Sequence, residues 1–72
     1  STLSTADRRI LQHLSAAGAD YPGLIASNTG LHVPFVERRC VALEAAGLLE
    51  SVSGEVIYRL TESGRRVSRS RL

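Results

Sequence analysis

Seventy-two residues suffice for one domain with a marginal core, so a chain of this length leans on regular helix packing or on dimerisation for stability. A single cysteine excludes an intramolecular disulfide, and with only His13 and His32 beside it no metal-ligand spacing exists, so a reducing, cytoplasmic setting is the natural reading. No apolar run reaches bilayer-crossing length and no signal-peptide pattern opens the chain, which sets the expectation of a soluble domain with no membrane partner, metal or cofactor.

The formal net charge of +2 is unevenly spread, and every basic residue is arginine. Residues 1–58 hold four arginines against six acids, a net −2, whereas residues 59–72 hold five arginines against Glu62 alone, a net +4. Either genome composition or, alternatively, the bidentate grip of guanidinium on phosphate accounts for the absence of lysine.

In chain order, a first helix is predicted over 4–17. Ser4 caps it, Asp7 completes a capping-box-like pair three residues on, and Ile10, Leu11, Leu14 and Ala17 recur at helical spacing as the core stripe. Arg8, Arg9, Gln12 and His13 fall on the other faces, His13 as a surface residue without a ligand partner, and Gly18 ends the helix. After a short connection over 18–21, Asp20 is the expected cap and Pro22 the first-turn residue of a brief second helix over 21–28, with Leu24 and Ile25 as its apolar contacts. Asn28, Thr29 and Gly30 then break the pattern, Gly30 supplying the positive φ of a tight turn.

The third helix is predicted over 33–46, with Pro34 in its first turn. At about 100° per residue, Val36, Cys40, Leu43 and Gly47 share one sector and Arg38 lies nearly opposite. Gly47 is its left-handed cap, with Leu48 packing back. Cys40, facing inward, acts as a small apolar residue. The period then becomes alternating. Leu48–Val52 and Glu55–Leu60 read as strands joined by a two-residue turn at Ser53 and Gly54, with Val56, Tyr58 and Leu60 inward and Ile57 and Arg59 outward. Thr61 caps a last helix or tail over 61–72, anchored by Val67.

Four fragments, IAxxTGL (Ile25 to Leu31), VxRR (Val36 to Arg39), LxxAGLL (Leu43 to Leu49) and YxLTxxG (Tyr58 to Gly64), stand in an order and spacing that resembles the winged helix-turn-helix family of DNA-binding domains. The nearest members are small prokaryotic regulators of the MarR-like and archaeal phage-repressor-like kind. The resemblance implies an α+β fold over 1–72: a three-helix core, a two-stranded β-hairpin wing over 48–60 and a short C-terminal helix. It also implies sequence-specific binding to double-stranded DNA by a repressor of transcription, acting as a homodimer on a two-fold symmetric site.

On that reading the helix over 33–46 enters the major groove, and His32, Val33, Pro34, Phe35, Arg38 and Ala42 face the bases. Arg38 is the expected guanine reader, Arg39 a phosphate contact on the flank, and Val33, Pro34 and Phe35 can touch only thymine methyls. Tyr21 reads either as a phosphate contact or as a partly buried residue fixing its turn. Arg59, Arg65 and Arg66, with Arg69 and Arg71, read as phosphate contacts or as a solvated tail. Glu55 places an acid at the wing tip, which argues against insertion into the minor groove. Because the chain stops soon after Val67, either the first helix makes the dimer or the chain was cut from something longer. The alternative function is a winged helix that docks on a protein through Val33, Pro34 and Phe35, with the acidic wing facing water. Without either role, Phe35 tucks against the first helix and Arg38 and Arg39 form a solvated face paired with Glu37 and neighbouring acids. No Ser/His/acid grouping, phosphate-cradling glycine motif or acid–base pair is suggested, so no enzyme and no catalytic residue is expected.

Overall fold

Helix α1 (Thr5–Ala17) begins at a complete capping box: Asp7 N–H donates to Ser4 Oγ (3.0 Å) and Ser4 N–H donates to Asp7 Oδ2 (3.2 Å). The computed structural model describes residues 3–70. After α1 come β1 (Ala19–Asp20), α2 (Pro22–Thr29), α3 (Val33–Ala45), β2 (Leu49–Ser51), β3 (Tyr58–Leu60) and α4 (Glu62–Arg69). The described chain is thus an α+β fold of four helices and one antiparallel sheet ordered β1-β3-β2. Arg71, and the rest of the expected tail beyond Ser70, lie outside the described residues.

The α2–α3 turn follows from its glycine. Gly30 adopts φ +75°, and its N–H and that of Leu31 both donate to the Ala26 carbonyl, so the chain reverses within three residues and α3 starts at Val33 with Pro34 in its first turn. At the far end of α3 the Gly47 N–H donates to the Glu44 carbonyl and the Leu48 N–H to the Leu43 carbonyl, with Gly47 at φ +82°. That pair of bonds ends the helix and turns the chain into β2.

The core takes most of each helix's expected stripe, but Ala17 at the end of α1 and Leu24 on α2, both expected in it, are exposed. Ile10, Leu11 and Leu14 from α1, Ile25 and Ala26 from α2, and Val36, Cys40 and Leu43 from α3 close on Leu49, Tyr58 and Leu60 of the sheet, with Leu3, Leu31, Leu48 and Val67 packed around them. Burying each of the larger side chains contributes about 1.5–3 kcal/mol. Helix α4 packs on α1 and β3. Thr61 joins it to the rest: its Oγ1 accepts from the Gly64 N–H (3.0 Å) and donates to the Gly47 carbonyl (2.6 Å).

Further sequence expectations are corrected. The sheet has three strands rather than the two of a simple hairpin, because Ala19 and Asp20 pair with Arg59 and Tyr58. Asp20 does not cap α2. Tyr21 holds the cap position, while Asp20 Oδ1 accepts from the Tyr21 N–H and Oδ2 lies 2.7 Å from His13 Nε2. His13 therefore has a partner and is half-buried, tying α1 to β1. Val56 points out, 63 % exposed, because the tight turn closes Val52 to Glu55 while the Val52 N–H donates to the Ile57 carbonyl, leaving Glu55 and Val56 outside the strand. Ser53 at φ +54° and Gly54 at φ +70° give that turn its backward sense.

Candidate nucleic-acid interface

Helix α3 has two unlike sides. Val36, Cys40 and Leu43 are fully enclosed, whereas Pro34, Glu37, Arg38 and Val41 are exposed and line one open, shallow concavity. Their spacing of three, four and seven residues explains the grouping, since such positions fall within about 100° of one another and lie over roughly 10 Å of helix. The surface is chemically mixed: a guanidinium and a carboxylate between two apolar side chains. Val41, 60 % exposed, is the more conspicuous of the latter.

Arg38 stands clear of the fold, and among the described residues it takes part in no ion pair. His32, at the cap position, and Pro34 are exposed, Val33 is 41 % exposed, and Phe35 and Ala42 are half-buried. Ala42 belongs instead to the flank, where it lines a hollow with Leu3, Asp7, Arg39, Leu43, Ala46, Leu48 and Val67.

The expectation that Arg39 meets a phosphate is corrected by its partner. Arg39 Nε donates to Asp7 Oδ1 (2.8 Å) and Nη2 to Asp7 Oδ2 (3.0 Å), a bidentate clasp between α3 and the start of α1. Asp7 is 1 % exposed, the one acid in the described core. Burial alone would raise its pKa, but the Arg39 guanidinium and the Ser4 backbone and hydroxyl together outweigh burial and hold the carboxyl below its ordinary 3.8. Arg39, raised by the same hydrogen bonds and charge, is a structural cation whose removal would strand a buried carboxylate.

The remaining predicted contacts are dispersed. Arg59 Nε donates to Glu50 Oε2 (2.7 Å) directly across the β2–β3 ladder. Both side chains are about half exposed, so the pair is worth under ~1 kcal/mol and a phosphate could take the guanidinium from it at small cost. On α4, Arg65 Nη1 donates to the Leu60 carbonyl (3.4 Å), and Arg66 lies 3.7 Å from Glu62 and donates to Ser63 Oγ (3.2 Å). Tyr21 is 47 % exposed, its hydroxyl making a long contact (3.5 Å) with Glu55 at the hairpin tip. The structure thus groups Pro34 and Arg38 on one face, with Val33 and His32 at its start, and leaves Arg59, Arg65 and Arg66 on other elements. Sequence reasoning took Glu37 only as a partner of Arg38 and Arg39, a pairing the structure does not contain among the described residues, and missed Val41, which the same stripe arithmetic that located Arg38 would have found.

Cys40 is fully buried, and burial, aided by the Glu37 and Glu44 carboxylates, pushes its thiol up to about 11. It is held as a protonated, unreactive core group. No described helix is long and apolar enough to cross a membrane.

A small α+β domain with one exposed, mixed-chemistry helix face is the class these features define. Residues 2–70 match the family described as an uncharacterized protein conserved in archaea (DUF2250), and the chain belongs to that family. No curated protein matches it.

Proposed function

We propose that this chain is a winged helix-turn-helix domain that binds double-stranded DNA through α3, acts by binding rather than catalysis, and regulates transcription as a homodimer. The observation that carries the reading is the free outer face of α3. Pro34, Glu37, Arg38 and Val41 are exposed on successive turns of a helix held to α2 by the Gly30 turn, with Arg38 unpaired among the described residues. A helix of this diameter fits a major groove about 12 Å wide, and an unpaired arginine at its centre suits the two acceptors on a guanine edge. The order helix, short strand, helix, turn, helix, hairpin is compatible with a winged helix, with β2 and β3 as the wing. Its acidic tip at Glu55 argues against groove insertion, and Arg59 on β3 is the wing residue suited to backbone contact. Arg65, Arg66 and Arg69 on α4 add a sequence-independent attraction to phosphate.

A second reading is favoured by one specific feature, the exposure of Leu24 (51 %), Val33 and Val41 on α2 and α3, which suits docking on a protein. The two part on salt. Duplex affinity measured by fluorescence anisotropy from 50 to 200 mM salt should fall steeply, by roughly one unit of log–log slope per phosphate neutralised. No duplex binding at the lower salt, or binding insensitive to it, contradicts the DNA reading.

A further inference from the structure

We propose that Glu37 is a second base reader beside Arg38, accepting from the exocyclic amino group of a cytosine, so that α3 selects duplex sites in which a second G·C pair, directly adjacent to the one whose guanine Arg38 contacts, offers its cytosine to Glu37. The inference rests on the DNA-binding reading and deepens it. It begins from the partners of the acids. Of the seven, Asp7 holds Arg39, Asp20 holds His13, Glu50 holds Arg59 and Glu62 lies by Arg66, while Glu44 accepts from Ser51 and Glu55 from the Tyr21 hydroxyl. Glu37 is the one acid with no side-chain partner among the described residues, and it sits on the exposed stripe with Pro34, Arg38 and Val41.

An unpaired carboxylate on that face is a liability anywhere near phosphates, which repel it. The groove floor is the one part of a duplex that accommodates it. There the only base donors are the amino groups of cytosine and adenine. Adenine sets its donor beside the N7 acceptor, whose lone pair opposes a second carboxylate oxygen, whereas cytosine presents its donor beside a carbon-bound hydrogen. Cytosine is therefore the better match. Glu37 and Arg38 diverge by about 100° around the helix and are offset by about 1.5 Å along it, too splayed to bond each other but close enough to reach adjacent base pairs. Pro34 and Val41, at either end of the stripe, can meet only apolar groups, which in this groove are thymine methyls. Glu37 thus suppresses promiscuous binding while rewarding one base.

The test is selection from a pool of random duplexes, followed by affinity measurement on the selected site, using the wild-type chain, Glu37→Ala and Glu37→Gln. Because Glu37 is exposed, both variants should keep the wild-type circular dichroism. The wild type should select two adjacent G·C pairs, one fixed by its guanine and the neighbouring one by its cytosine. Glu37→Ala should keep the guanine, lose roughly 5- to 150-fold of discrimination at the cytosine and bind unrelated duplex more tightly. Glu37→Gln should shift that position towards adenine, whose donor–acceptor pair the amide complements. If Glu37→Ala selects the wild-type site with undiminished cytosine preference, this inference is overturned and the DNA reading stands. If the wild type selects no duplex, both fall.

Discussion

Replacing Arg39 by alanine isolates the most consequential polar contact of the fold. The substitution removes two charge-assisted hydrogen bonds from a carboxylate that is 1 % exposed and leaves it only the Ser4 N–H. Stranding a buried charge typically costs 3–5 kcal/mol. Here the Arg39 side chain is 37 % exposed, so water can enter where the guanidinium was, and the expected loss is discounted to about 2–3 kcal/mol. A 72-residue domain has a total of about 4–11 kcal/mol, and a loss of this size should lower Tm by roughly 10–20 °C. The pH dependence is diagnostic. Because the folded-state pKa of Asp7 is held below 3.8, the unfolded chain takes up that proton first, so the pair's stabilisation is present above pH 4 and is lost as pH falls through the folded-state value. In Arg39→Ala, burial is no longer outweighed, the Asp7 pKa rises, and protonation relieves the stranded charge. Urea unfolding at pH 7 and near pH 3.5 should therefore show a large gap between wild type and variant that narrows in acid. A gap below about 0.5 kcal/mol at pH 7, or one equally wide at both pH values, would refute the argument that Asp7 is a buried ion held by Arg39.

Gly64→Ala should destabilise by about 2 kcal/mol or more, outweighing the ~1 kcal/mol helix-propensity gain, because a Cβ there collides with the Leu48 carbonyl oxygen and lies 3.3 Å from Leu60 Cδ2; a thermal melt checks it, and an unchanged or raised Tm contradicts the close approach of α4. Cys40, enclosed and protonated, should react with a thiol reagent only as fast as the chain opens, so the rate should rise with urea, and rapid native-state labelling contradicts its placement. Since its folded-state pKa is raised, Cys40 should also cost stability as pH climbs from about 9 towards 11, a loss that Cys40→Ala lacks in denaturant titrations.

Local punctuation made the helices legible before any coordinates. Ser4 with Asp7, Gly30, Pro34, Gly47 and Thr61 each act within a few residues of themselves, and each does in the structure what its chemistry predicts. The errors fall where the partner is distant. Ala19 and Asp20 carry no alternation, and they become a strand only because β3 lies beside them, about forty residues later. Asp7 stands at the N-terminal end of the Ile10, Leu11 and Leu14 stripe, on the same face, a signal that it is buried, but the arginine that makes burial tolerable is on another helix. Val56 has the correct phase for an inward strand residue, and the register offset at the turn removes the strand beneath it. For the candidate site, helical arithmetic places Arg38 outward, yet attention to arginine hid its acidic neighbour, whose lack of a partner is visible only once the other acids are seen to be taken.

The central claim is that the outer face of α3 reads bases through Arg38. It is tested most directly by measuring Arg38→Ala against wild type on the selected duplex and on an unrelated one at the same salt. The account predicts a roughly 5- to 150-fold loss on the selected duplex, much less change on the unrelated one, and a salt dependence set by the arginines elsewhere. Equal affinity of Arg38→Ala and wild type for the selected duplex would contradict it.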